Sequence, residues 1–247
     1  MNPAKCNEYD YINFLIASQR YYSCMEASRV QPQRNPAIAH DALTRLLHRL
    51  EPNSNSLWEE AQHYVDKPNG ILIVDDSTLD KLDAKQIELV TRHWSGKHHQ
   101  VVLGINLITL LWTEGDSHIP CDYRIYDKNN EGRSKNAHCR ALLREAKNRG
   151  LSPTHVVFDS WYSGLDNLKT IRQLGWEWLT RFKSNRQVNP DQTGNRAISD
   201  IEIGPTGRVV HLKGYGLVKV FKIVAKNGDI AYWASSHLEM NPLERLK

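Results

Sequence analysis

The chain lacks most of what would mark a secreted, membrane-bound or zinc-clustered protein. No apolar run reaches the roughly 18 residues of a membrane span, so no membrane partner is expected. The start, MNPAKCNEYDY, has no basic segment followed by an apolar stretch, so it does not read as a signal peptide, and a cytoplasmic protein is expected. Only four cysteines occur (Cys6, Cys24, Cys121 and Cys139), far apart and without a CxxC pair. That argues against a zinc site or a disulfide framework and leaves free thiols used as small apolar residues. Charge imbalance is small as well: 32 Lys and Arg against 28 Asp and Glu, a formal +4. Such a surplus does not by itself argue for a nucleic-acid partner. There is no internal repeat and no low-complexity tract.

What remains is ordinary for a globular chain of 247 residues, with 40% hydrophobic and 24% charged residues. Residues 1–68 read as helical. Tyr11, Phe14, Leu15 and Tyr22 give one apolar face, and Leu43, Leu46, Leu47 and Leu50 another. Pro32, Pro36 and Pro52 punctuate the segment. Ser23 to Val30, a polar turn, then His40 to Leu50 fit a helix-turn-helix whose second helix carries Arg45, His48 and Arg49. They fit equally a small bundle with a solvated basic face. Residues 69–182 alternate strands and helices. Ile71 to Val74 and Val101 to Trp112 read as buried strands, and Ile119 to Ile125 as a hairpin partner of the second. A helix from a Ser134 cap to Gly150, a strand at Val156 to Phe158, a helix from a Ser163 cap to Gly175 and a strand at Trp176 to Phe182 complete an α/β layer fold. Residues 183–236 read as β-rich, with strands at Arg208–Leu212, Leu217–Val224 and Ile230–Ala234. Between 183 and 226 eight Lys or Arg, among them Lys183, Arg186 and Lys213, face three acids. Residues 237–247 read as the start of a further helix.

Two acids each follow an apolar strand: Asp75 in ILIVDDST and Asp159 in HVVFDSWY. Carboxylates at the C-terminal ends of neighbouring strands converge at the edge where α/β sheets bind ligands. Such a pair repels itself unless it holds a hard cation, and Mg2+ suits carboxylate oxygen while keeping sites for substrate phosphate. An isolated strand-end Asp would more simply cap its turn. Asp76 competes with Asp75, which is favoured because it continues the strand while Asp76 begins the turn.

Asp-Asp-Ser-Thr after a strand, then Asp159-Ser-Trp-Tyr before a helix, resembles the DDE transposases of bacterial insertion sequences, in particular the insertion-sequence-four group and its relatives. The resemblance implies a ribonuclease H-like mixed sheet flanked by helices. It also implies an N-terminal helical DNA-binding region, a β-rich insertion at 183–236, and Asp75 and Asp159 as catalytic, metal-binding residues for Mg2+ (or Mn2+). It further implies double-stranded DNA, as transposon ends and target, for a partner, and a homodimer across paired ends. The group's third carboxylate lies in a Tyr-x2-Arg-x3-Glu-x6-Lys motif, and no Tyr here lies three residues before an Arg. Glu239 and Glu244 come too early to replace it. The expectation is therefore a truncated transposase that is inactive as it stands, or a catalytically dead DNA-binding remnant that competes for ends.

Other residues suit DNA contact or a plainer role. Trp161 can stack on an unpaired base, whereas Tyr162 reads as core. Lys97, with Arg92, His93, His98 and His99 in RHWSGKHH, gives a basic loop or a plain turn. Lys135, Arg140, Arg144, Lys147 and Arg149 give the 134–149 helix a face that can follow a DNA backbone or simply be wet. A phosphorylated receiver domain fails because a long hairpin, not a helix, follows the first strand. A haloacid-dehalogenase phosphatase fails for want of Asp-x-Asp.

Overall fold

The computed structural model describes residues 4–19, 22–31, 37–51 and 53–241, and the chain divides into two compact units, Met1–Asn53 and Ser54–Lys247. Pro32, Pro36, Pro52 and Glu244 lie outside the described residues.

The first unit is three short helices: α1 (Glu8–Ala17), α2 (Cys24–Val30) and α3 (His40–Arg49). Asn7 and Asp10 form a reciprocal capping box that starts α1, and Ser23 Oγ accepts the Glu26 amide to start α2. Phe14, Ala27, Ile38, Ala42, Leu43 and Leu46 make a small core. Only a narrow stripe of each helix fits into it. Leu15, Tyr22, Leu47 and Leu50, expected on the apolar faces, are therefore exposed.

The second unit opens with α4 (Ser54–Ala61), whose Trp58 packs into the core of the sheet. The second compact unit thus begins with α4. The sheet strands are β1 (Ile71–Asp80), β2 (Thr91–Ser95), β3 (Gln100–Glu114), β4 (Ser117–Tyr126), β5 (His155–Phe158) and β6 (Glu177–Phe182). Helices α5 (Lys135–Asn148) and α6 (Leu165–Gln173) make the crossovers. A small pair, β7 (Gln187–Val188) and β8 (Arg196–Ala197), precedes β9 (Arg208–Leu212), β10 (Gly216–Val224) and β11 (Ile230–Ser235).

The centre of the sheet runs β4-β3-β1-β5-β6. β4, β3 and β1 pair antiparallel, whereas β5 and β6 run parallel to β1. This is the ribonuclease H-like mixed sheet. Leu72, Val74, Ile108, Leu110, Val156, Phe158 and Trp178 alternate onto one face. They meet Cys139, Leu142, Leu143 and Ala146 of α5 and Leu168 and Ile171 of α6.

Four local features differ from expectation. β1 continues past Val74 to Asp80, because the 15-residue β3 pairs with it throughout. β2, unforeseen in the RHWS segment, pairs with the start of β3. Gly104 serves both contacts, opposite Asp80 and Thr91, and a Cβ there would lie 2.6 Å from the Leu79 carbonyl oxygen. The strands expected as a β-rich insertion extend the same sheet, since β11 pairs antiparallel with β6. Finally, α6 is capped by Gly164 without a side-chain bond; the Ser163 hydroxyl instead donates to the Ser160 carbonyl at 2.7 Å.

Candidate active site

Parallel pairing of β1 with β5 ends at Val74 opposite Phe158, so the next residues on the two strands are Asp75 and Asp159. Neighbouring strands lie about 4.8 Å apart, which brings the two acids side by side. The relevant strand end is that of β5. Asp75 itself sits mid-strand, still paired with Thr109 of β3. Beyond Phe158 the chain winds into a 3-10 turn, Ser160–Tyr162, which Asp159 caps by accepting the Trp161 amide at 2.9 Å. Asp75 accepts the Asp76 amide at 2.8 Å. Among the described residues neither carboxylate forms an ion pair.

Asp76 points to the opposite face of β1. It accepts Lys135 Nζ at 2.7 Å, Asn106 Nδ2 at 2.8 Å and the Tyr162 hydroxyl at 2.8 Å. Burial works against its charge, but these three donors outweigh it and hold Asp76 below the ordinary carboxylate range. For Asp75 the balance is reversed. Burial raises it, the Asp76 amide offsets part of that, and the charges of Asp159 and Asp76 raise it further. Burial also raises Asp159, against amide bonds from Trp161 and Tyr162. Adjacent acids on one strand thus have opposite environments, one neutralised by a cation and the other left facing a second carboxylate.

The pair opens into a cleft of about 470 Å³ whose walls include Trp94, Lys97, Lys135 and Trp161. Lys97 and Trp161, two of the expected DNA-contact residues, thus line the cleft beside the acids. Lys183, Arg186 and Lys213 do not line this cleft. Lys183 follows β6, Arg186 stacks 5.0 Å from the Phe182 ring centroid, and Lys213 sits in the β9–β10 turn. Arg45 and Arg49 belong to the first unit, where Arg45 pairs with Asp41 at 2.8 Å and Arg49 donates to the Cys6 carbonyl at 3.2 Å. His93 is not in a basic loop. It is buried in β2, 2.6 Å from Thr91 Oγ1, and burial with the charges of Lys135 and Lys128 lowers its pKa. The basic helix is largely engaged internally: Lys135 in the cleft, Arg140 on Asn167 Oδ1 at 2.9 Å, Arg149 against Asp122.

The sequence reading missed Asn106, Trp94 and the role of Lys135. Asn106 was visible as the polar residue within the apolar GINLITLLW; it is fully buried and holds Asp76. Nothing local marks Lys135, which reaches Asp76 only through the fold.

Two adjacent carboxylates suit a hard divalent cation that keeps most of its coordination for water and substrate. Among the described residues no group of three or more His, Cys, Asp or Glu is arranged to hold a metal, and Glu239 lies in an exposed turn outside the cleft.

A pH test follows from the opposite shifts. An acid whose folded pKa is raised binds its proton more tightly when folded, so its ionised form costs stability above that pKa, and the cost disappears as pH falls through it. In EDTA, Asp75→Asn is expected to raise the melting temperature by a few degrees near pH 7, with the gain shrinking towards pH ~4.5. Asp76, with its lowered pKa, contributes stability that is present above its unfolded pKa and lost as pH falls through the folded one. Asp76→Asn should therefore lower the melting temperature near pH 7. Thermal scans at both pH values check this; a gain for Asp75→Asn that ignores pH would contradict it.

A family model described as DDE superfamily endonuclease matches residues 13–213. Among solved structures the chain is similar to a piggyBac transposase in a synaptic complex with hairpin DNA, determined by cryo-EM. That match has 12% identity and TM-score 0.49 over 81% of this chain and 44% of the other. It is also similar to a Drosophila P element transposase strand transfer complex, at 12% identity and TM-score 0.21 over 69% and 40% of the two chains. The chain therefore spans less than half the length of these solved proteins. No curated protein matches the sequence. With the family match covering most of its length, the chain belongs to the DDE superfamily endonucleases.

Proposed function

We propose that the chain carries the catalytic cleft of a transposase of the insertion-sequence-four type, which cuts and joins double-stranded DNA at transposon ends and targets. The observation that carries this reading is the pairing of Asp75 with Asp159 across β1 and β5, unneutralised while the adjacent Asp76 is neutralised. Asp75 and Asp159 would hold Mg2+ or Mn2+ through carboxylate oxygens. A bound ion of this kind supplies Lewis-acid polarisation of a phosphodiester.

The chain's own groups do the rest. Lys97 sets positive charge on the cleft wall, where it would draw in the DNA phosphate, while Lys135 is held beside it by Asp76. Trp94 and Trp161 line one side of the cleft. The nucleophiles would be water for cleavage and then a DNA 3′-hydroxyl for strand transfer. Arg45 and Arg49 of the first unit, and Lys183, Arg186 and Lys213 beyond β6, would hold flanking DNA, and two copies would pair two ends.

A second reading rests on there being two free carboxylates in the cleft and no metal-holding group of three among the described residues. In that reading this polypeptide binds DNA ends without cutting them. Incubation with supercoiled plasmid separates the two. Slow nicking that needs Mg2+ and stops in EDTA supports the first. Retardation of DNA without metal-dependent nicking supports the second. Neither binding nor nicking removes both.

A further inference from the structure

Two of the most deeply buried polar side chains in the larger unit stand behind the acidic cleft without lining it. Asn167 of α6 is 1% exposed and Thr180 of β6 is 0%. Burying an amide or a hydroxyl is costly unless its hydrogen bonds are met, so their partners show what the burial secures. Both reach the Asp159–Tyr162 turn. The Thr180 hydroxyl donates to the Asp159 carbonyl at 3.1 Å, the shorter of its two contacts; the other, at 3.4 Å, is to the Arg181 carbonyl. Asn167 Nδ2 donates to the Tyr162 carbonyl at 2.9 Å. Asn167 is itself fixed from α5: its Nδ2 also donates to Asn136 Oδ1 at 2.6 Å, and its Oδ1 accepts Arg140 Nη1 at 2.9 Å. The turn is thus held at its first and last residues by two different elements.

The two acids differ in what fixes their backbones. Asp75 sits within the β1–β3 ladder, opposite Thr109. The ladders of β5 with β1 and with β6 both end at Phe158, so Asp159 lies one residue past the last paired position. Resting on the reading of Asp75 and Asp159 as the ion-holding pair, we infer that Thr180 and Asn167 are positioning residues. They take the place of the missing ladder, set the spacing of the two carboxylates and so set the affinity for a divalent ion. A small hard cation demands near-ideal ligand geometry and tolerates little displacement.

The test uses the 247-residue chain and Mn2+ alone, without DNA, titrated by electron paramagnetic resonance, with thermal melting in EDTA alongside. Thr180→Val loses the hydroxyl at nearly constant volume. Asn167→Asp keeps the acceptor for Arg140 and loses the donor to Tyr162. Each should weaken Mn2+ binding by about ten-fold, the lower end of the loss when residues that orient a metal's ligands are changed. Thr180→Ser should restore most of the affinity. Val210→Ala, a core truncation in the edge strand β9, is the control. It should lower the melting temperature at least as much and leave Mn2+ affinity unchanged. Unchanged affinity in both variants, or an equal loss in Val210→Ala, would overturn the inference and leave these bonds a role in stability alone. Should Asn167→Asp not fold, Thr180→Val decides. Loss of Mn2+ in Asp159→Asn with none in Thr180→Val removes this inference only. Wild-type affinity in Asp159→Asn removes the metal reading and this inference with it.

Discussion

Asp75→Asn and Asp159→Asn are each expected to lower Mn2+ affinity by at least about 100-fold, and to take Mg2+-dependent nicking down by roughly three orders of magnitude. Even residues that merely orient a metal's ligands cost 10–100-fold when changed, so loss of a ligand itself sets the lower bound. On the proposed reading several kcal/mol of transition-state stabilisation would ride on the ion, and each ~1.36 kcal/mol is ten-fold in rate. Asparagine keeps the shape and the amide hydrogen bonds that Asp75 and Asp159 accept from Asp76 and Trp161, but removes the charge. The informative contrast is Asp76→Asn. Its carboxylate is taken up by Lys135, Asn106 and Tyr162, so its loss should loosen Lys135 and lower stability before it touches metal affinity. Titration of Mn2+ by electron paramagnetic resonance, with the nicking rate alongside, reads both effects. If Asp76→Asn abolished Mn2+ binding while Asp75→Asn spared it, the two roles would be exchanged.

Arg149→Ala is expected to destabilise the larger unit by about 3–5 kcal/mol, a fall in melting temperature of ~10 °C or more for a domain of this size. Asp122 is fully buried between two guanidiniums. Arg124 donates to one of its oxygens. Arg149 Nη1 approaches the other to 3.0 Å, as an ion contact without the alignment of a hydrogen bond. Arg149 also donates to the Cys121 carbonyl at 3.0 Å and to Asn55 Oδ1 at 3.1 Å, and stacks 5.3 Å from the Trp58 ring centroid. One side chain thus joins α4, β4 and α5. Truncating it strands a buried carboxylate, and that penalty exceeds the net worth of the pair. Arg144, exposed on the same helix, is the control, and its alanine variant should shift stability by less than ~0.5 kcal/mol. Equal melting of the two variants would show that the network contributes nothing.

The strands were legible because their burial alternates or is continuous. Arg208–Leu212 is found where the sequence put it, and the neighbouring β10 and β11 differ by a residue at an end. The Ser134 cap was legible because a serine hydroxyl has one obvious amide to accept, that of Ala137. The neighbourhood of Asp75 and Asp159 was legible because each follows a short, mainly apolar run that forms a strand. Long-range partners were not. Nothing in KNAHCR says that Lys135 reaches Asp76, since that contact is set by how α5 crosses the sheet. β2 escaped notice because five mixed residues, with His93 inward and Trp94 outward, carry no periodic signal. Arg149 looked like one more cation on a wet face because one-dimensional charge patterns do not show which arginines turn inward.

The parallel contact between β1 and β5 has a kinetic corollary. β1, β2, β3 and β4 can assemble from near neighbours in the chain, but Asp159 arrives only once α5 has carried β5 back across the sheet, a closure over a long loop. Until that docking the two acids are strangers, each solvated and each titrating normally. On the proposed reading, a nascent or half-opened chain therefore presents no paired acids to a divalent ion, and any nuclease potential waits on the docking of β5 against β1.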